Sequence, residues 1–379
     1  LTALVEGTYR NAQPVLGAAG DTPVLVYTRG NTDRGTYNAA QLVYSIYSGS
    51  VWSEPVPVDS DDTADSGASL FTAPAGTLWL IYQNQSQPFP DSYELTLEDF
   101  ARTSTVVAAR FDAATGKFVG HTVLSTANTY ASHAEIFSAN GITTAVWVEN
   151  TDNNYFGTNS TNAVYFAQYA DGAWGISRQL VSGLNAITEL TVGELNGGIA
   201  AALTIDGDND LATPDRTVNL LTLSGQLTQL TGGTESSAIQ FATLPGDITS
   251  ALLWVENGTL KRYNGTETAD ILVNSTLSDG FIVLSDRILH RVPVEDGSVL
   301  YAQIFDGESW SEPVQITTQE GYLQSYSAAE INGSTYLAAI RTDVTITETE
   351  VEDDCDLCWA ALSDFVDLEL LSVDIDQSA

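Results

Sequence analysis

The chain has 379 residues, 43% of them hydrophobic, with 49 Asp and Glu against 13 Lys and Arg and a formal net charge of −36. That charge excludes nucleic acid and anionic membrane surfaces as partners and permits cation binding. No run of about 18 apolar residues occurs, so no membrane-spanning helix is expected.

Apolar runs that follow glycine turns recur along the chain. Gly20 leads to Val24–Arg29, Gly76 to Leu78–Gln83, Gly141 to Ala145–Glu149, Gly198 to Ala202–Asp206, Gly246 to Ala251–Glu256 and Gly333 to Tyr336–Arg341. Each reads as a hairpin feeding a buried strand. Trp147-Val-Glu-Asn150 returns unchanged as Trp254-Val-Glu-Asn257. A second hairpin follows in several units: Tyr44 to Trp52, Tyr165 to Trp174 and Tyr301 to Trp310, each with a glycine turn before the Trp. Two hairpins make a four-stranded unit, and a period of about 40–55 residues is that of propeller blades. The predicted fold is an all-β propeller of about seven four-stranded blades, over about 12–58, 67–125, 131–181, 186–230, 235–273, 276–316 and 325–374. Residues 1–365 are assigned to the propeller, and 366–379 to its last outer strand or to the start of an immunoglobulin-like module. In the latter case Leu1 to Gly7 would close the ring. A tandem of β-sandwiches is the competing fold, and repeats this short disfavour it. The first strand of a unit is short and apolar, as in Ala131–Phe137. The polar stretch Glu94 to Arg102 suits a short helix within a loop.

The turns Gly49-Ser-Val-Trp52 and Gly307-Glu-Ser-Trp310 resemble the Asp-box of sialidase-type propellers, whose pattern is Ser-x-Asp-x-Gly-x-x-Trp. Glycine and Trp are kept, while Tyr47 and Phe305 stand at the Asp position and Ser45 and Gln303 at the Ser position. As a whole the chain is similar to repeat regions of large surface proteins from gut Firmicutes. A sialidase resemblance implies three arginines gripping a carboxylate and a Tyr nucleophile with a carboxylate partner. Arg29 and Arg341 would supply two of the three, and Arg291 lies in the right unit for the third but inside a strand.

Loops joining second to third strands are the long ones, and they should crowd one face of the ring, where function is expected. At their roots the second strands end in Arg29, Gln83, Glu149, Asp206, Glu256 and Arg341. Ring closure would place Arg341 beside Arg29, a basic pair facing carboxylates, suited to a sugar or a carboxylate ligand. The competing reading is that these charges pair between blades. The expected ligand-binding residues are Arg29, Tyr37, Glu149, Tyr155, Glu256 and Arg341; Tyr37 and Tyr155, with Phe89, Tyr93 and Phe156, would stack on sugar rings or cap the core. Asp206, Asp208 and Asp210 alternate as in a calcium loop, with Asp215 able to fold back, although the EF-hand's Gly and Glu are missing. A solvated turn is the alternative there, as for the acidic run Glu348 to Asp356.

His121, His133 and His290 are isolated, and no nucleophile elbow, zinc-binding or phosphate-binding motif occurs. Glu149 and Glu256 would serve as acid and base only if about 5–10 Å apart. Cys355 and Cys358 are the only cysteines and suit a local disulfide. The absence of Met and the start at Leu1 suit a mature or excised fragment. The expectation is therefore an exported or cell-surface, non-catalytic binding or adhesion domain. Its ligand would be a glycan or a host or surface protein on the loop face, and it would act as a monomeric module of a larger chain. The alternative is a sialidase-like glycoside hydrolase.

Overall fold

The structure is a computed structural model, and it describes residues 2–5, 12–233, 235–273, 277, 280–294, 297–316, 322–342 and 366–373. Cys355, Cys358 and the acidic run 348–356 lie outside the described residues.

The strands form antiparallel sheets that follow one another along the chain. Blade one holds Val15–Ala19, Thr22–Gly30, Ala40–Ile46 and Val56–Pro57. Blade two holds Asp65–Thr72, Leu78–Gln85, Ser104–Asp112 and Lys117–Val123. In blade three, Tyr130–Ala139, Ile142–Asn150 and Asn162–Ala170 are followed by Ala173–Trp174 and Arg178–Leu184, both paired with the third strand. Blade four holds Ile187–Leu195, Gly198–Ile205, Thr217–Thr222 and Leu227–Gln229. Blade five holds Ser236–Ala242, Ala251–Glu256, Thr259–Tyr263 and Thr268–Val273. Blade six holds Phe281–Val283, Arg287–Val294, Gly297–Ile304 and Val314–Gln315. Those six are each built from consecutive strands. The remaining sheet is composite: Tyr322–Ile331, Ser334–Thr342 and Val366–Val373 are completed by Thr2–Val5 from the chain's start.

Stacking in a ring explains why the second strands are apolar on both faces. A strand covered by a neighbouring blade on each side has no solvent face. Val24, Leu25, Val26 and Tyr27 are accordingly all fully buried. Leu78, Leu80 and Tyr82 pack with blade one, and Trp79 and Ile81 with blade three. Similar clusters join blade three to four, four to five and five to six. Leu300 and Leu337 join six to the composite sheet. Ala338 and Ile340 pack on Leu25, Tyr27 and Val43, so the composite sheet meets blade one and the ring closes.

The glycine–Trp turns show how the fold manages without the acid of the Asp-box. Tyr47 bridges to Trp52 and Phe305 to Trp310, with ring centroids 5.2 Å apart in both. An aromatic pair closes the hairpin in place of a carboxylate. Gly49 and Gly307 sit at φ 92° and 100°, a conformation costly for any side chain.

Antiparallel connection puts the second-to-third and fourth-to-first loops on one face. A short helix, Leu97–Thr103, lies in the longest described loop of that face, capped by Thr96 and Asp99.

Candidate functional site

The first strands line the centre of the ring, and three of them carry the same irregularity. The register shifts between Ser66 and Ser69, between Ser132 and Glu135, and between Ser237 and Gln240. The bulged residues Gly67, His133 and Ala238 have φ of 59°, 48° and 56°. Bulges re-aim side chains, and beside these bulges polar groups of neighbouring first strands meet, Ser69 with Glu135 and Glu189 with the amides of Ala238 and Ile239. Glu189 of blade four accepts the amides of Ala238 and Ile239 in blade five at 3.0 and 3.1 Å. His133 keeps solvent access, yet the surrounding protein lowers its pKa by desolvation, against a hydrogen bond to the backbone of Thr188.

Glu135 is a second perturbed group of this channel. It stands midway along the first strand of blade three, half-buried, and Ser69 Oγ donates to its Oε2 at 2.6 Å. Desolvation outweighs that bond and pushes its pKa up to about 7. The group can therefore hold a proton near neutrality and release it, which is what a general acid needs.

A second acidic group lies on the loop face between blades one and two. Carboxylate oxygens of Asp59, Asp61 and Asp65 lie within 4.8 Å of one another. The Asn84 amide donates to Asp61, Thr63 and Asp65 at 2.7, 2.8 and 3.1 Å. Tyr82 donates to Asp59 at 2.7 Å and lies 3.0 Å from His121 Nδ1. Burial, and then the charge of Asp59, raise Asp65 to about 8.

The ligand-binding residues expected from sequence are spread over blades one, three and five and the composite sheet. Arg29 is half-exposed at the end of its strand, and Tyr37 lies in a half-buried turn whose neighbour Asn38 exchanges two bonds with Phe89 in blade two's loop. Glu149 is buried and accepts from Trp147 Nε1 and the Thr126 amide, both at 2.8 Å. It joins the second strand of its blade to the preceding connection and is not presented to a ligand. Glu256 pairs with Lys261 at 3.2 Å. Tyr155 packs against Tyr130, Phe100 and Phe156, and Phe156 is left exposed at the edge of that cluster. Arg341 pairs with Leu323 and Asp367 in the sheet, and its side chain is outside the described residues. The carboxylates that meet in blade four are those of Asp206, Asp208 and Asp215; the group does not include Asp210, whose Oδ1 accepts the Ala212 amide.

No protein-family model and no curated protein sequence matches the chain. Solved structures do match. An α-L-arabinanase from Penicillium chrysogenum, complexed with arabinobiose, is 12% identical, covers 98% of this chain and 99% of its own, and has a TM-score of 0.52. A Trypanosoma rangeli sialidase in complex with the inhibitor DANA is 11% identical, with a TM-score of 0.51. That match covers 95% of this chain but 54% of the sialidase, about half its length. The likeness is one of fold. It supports the β-propeller and the distant sialidase resemblance, and it corrects the functional expectation. The neighbours are named as an arabinanase and a sialidase, so the expectation of a non-catalytic adhesion domain is not carried forward.

Sequence reasoning passed over Glu135. Its strand was legible as a short apolar first strand, and a lone carboxylate within it carried no motif. The signal that would have found it is the bulge, since only the extra residue at His133 explains a Ser-His-Ala-Glu order in a strand that should alternate. Asp59 and Asp61 lie in a fourth-to-first connection and Asp65 opens the strand after it, away from the long loops that the sequence singles out.

At the opposite end of the first strands lies a hollow of about 290 Å³ lined by Leu16, Asp21, Leu70, Thr72, Glu330 and Asn332. Glu330 there accepts both the amide and the hydroxyl of Ser285, a structural tie between blade six and the composite sheet.

Proposed function

We propose that the chain is a glycoside hydrolase acting on a neutral glycan, with the channel-lining Glu135 as general acid. The observation that carries this reading is a half-buried carboxyl at the centre of the ring, held by a single Ser hydroxyl and raised to about 7 by desolvation. The arabinanase and sialidase neighbours support the reaction class. Glu189, on the next first strand, supplies a second carboxylate in ring order.

A neutral substrate is favoured over a sialic acid by the arginines. Arg34 bonds to Thr63, Arg102 to Asp99, Arg262 to Asp247 and Arg287 to Asp286, each close by in its own stretch of the ring, and Arg291 bonds across to Leu323 of the composite sheet. A carboxylate clamp needs three that converge. The acidic, lysine-poor composition supports an exported protein as part of the same proposal.

The test is a panel of aryl arabinosides, xylosides and sialosides with linear and branched arabinans, followed by Glu135→Gln. The expected result is turnover of neutral substrates, with kcat/KM falling above about pH 7 as the acid loses its proton, and a loss of about 100-fold or more in Glu135→Gln with unchanged melting. Turnover that survives this substitution sinks the assignment of Glu135. No turnover and no glycan binding across the panel sinks the function.

A further inference from the structure

Blades three and four carry the same loop with one difference in chemistry. In blade three, Asn150 Oδ1 accepts the amide of Asp152, and Asn153, at φ 56°, accepts the amide of Tyr130. In blade four, Asp206 Oδ1 accepts the amide of Asp208, and Asn209, at φ 66°, accepts the amide of Ala186. Asp206 thus occupies the place of Asn150. The side chains then part. Asn150 Nδ2 donates inward to Asn159 and Asn162 at 2.6 and 2.8 Å. Asp206 has an oxygen there, and what it meets is acidic: carboxylate oxygens of Asp206, Asp208 and Asp215 lie within 4.8 Å of one another.

Asp206 is fully buried, and its Oδ2 has no hydrogen-bond partner. A buried carboxylate oxygen without a donor is costly, and facing two further carboxylates adds repulsion. Blade three answers the same geometry with an amide; blade four has none to offer. We propose that Asp206, Asp208 and Asp215 hold a divalent cation, which stands where the Asn150 amide stands in blade three. An all-oxygen donor set on a flexible loop suits calcium better than magnesium, which demands tighter octahedral geometry. The third protein ligand is Asp215, which folds back so that its Oδ1 accepts the Gly207 amide at 3.0 Å, and not Asp210. The inference is independent of the hydrolase reading, since the loop lies in blade four's second-to-third connection and not in the channel.

The experiment is thermal melting of the whole chain after EDTA treatment, titrated with CaCl2, with MgCl2, and with NaCl at matched ionic strength. Calcium should raise the melting temperature by about 2 °C or more beyond the sodium control, and magnesium by less. Asp206→Asn should restore the blade-three arrangement: stability in EDTA at or above that of the unsubstituted chain, and no calcium-specific shift. Asp215→Asn should also lose the shift, whereas Asp210→Asn should keep it. Equal shifts with calcium and sodium overturn the site, as does a calcium response that survives both Asp206→Asn and Asp215→Asn. If Asp206→Asn fails to fold, Asp215→Asn alone decides.

Discussion

Replacing Asp65 by Asn should flatten the pH dependence of stability above pH 4. Asp65 opens the first strand of blade two and is 1% exposed. Its oxygens receive the Asn84 amide at 3.1 Å and the Leu42 amide at 3.4 Å, thin replacement for water. Burial, and then the charge of Asp59, raise its pKa to about 8, against about 3.9 in an unfolded chain. The folded state therefore keeps the proton over a range where the unfolded state has lost it, so stability falls as pH rises through that range. Below about pH 4 both states are protonated and Asp65 has no effect. Between about 4 and 8 the slope is about −1.4 kcal/mol per pH unit, roughly 6 kcal/mol in all, and above 8 it levels off. Asn keeps the shape and cannot ionise. Urea unfolding in EDTA at pH 4.5, 6, 7.5 and 9 should give curves for the two proteins that diverge by several kcal/mol across the series, with Asp65→Asn the more stable at high pH. The difference between the proteins, rather than either curve, removes the general repulsion of a chain carrying −36. A constant difference from pH 4.5 to 9 would refute the reasoning.

Three further substitutions read the packing of the blades. A Cβ on Gly193 would meet Phe241 at its Cβ, so Gly193→Ala should destabilise by about 1–3 kcal/mol in urea unfolding, and a neutral result would mean that blades four and five do not abut there. Trp147→Phe and Trp254→Phe remove equally buried indoles, but only Trp147 Nε1 has a partner. By the same assay Trp254→Phe should cost less, by about 1 kcal/mol, and equal costs would show that the Trp254 nitrogen is bonded in solution.

The architecture was legible because a propeller repeats its own signals. Glycine turns before apolar runs mark the second strands, and those strands have no polar face because blades cover both sides. The site was less legible, for a physical reason. Channel residues come from the first strands, where a carboxylate such as Glu135 looks like any polar position until the bulge at His133 re-aims it. The long loops drew attention by their length, yet Asn38 and Phe89 lock two of them together, and Glu149 at the root of another is committed to Trp147. In the blade-four loop alternation suggests Asp210 as the third carboxylate, whereas it is Asp215, legible in sequence as able to fold back, that the chain's return brings across Gly207.

The repeated tetrapeptide shows where motif reading stops. Trp147-Val-Glu-Asn150 and Trp254-Val-Glu-Asn257 end equivalent strands with identical residues, and both Trp side chains are fully buried. What differs is the residue across the ladder. Opposite Trp147 stands Tyr165, whose ring stacks on the indole at 6.2 Å, and Glu149 turns inward to accept Trp147 Nε1. Opposite Trp254 stands Lys261, whose Nζ lies 3.2 Å from Glu256 and 3.1 Å from Asp270. Glu256 pairs with this ammonium rather than with the indole, and the Trp254 nitrogen has no partner. The third strand of blade three, Asn162–Ala170, carries no charged residue, whereas that of blade five, Thr259–Tyr263, carries Lys261 and Arg262. The role of a glutamate in this fold is thus set by a neighbour on the next strand, which the spacing of its own motif does not encode.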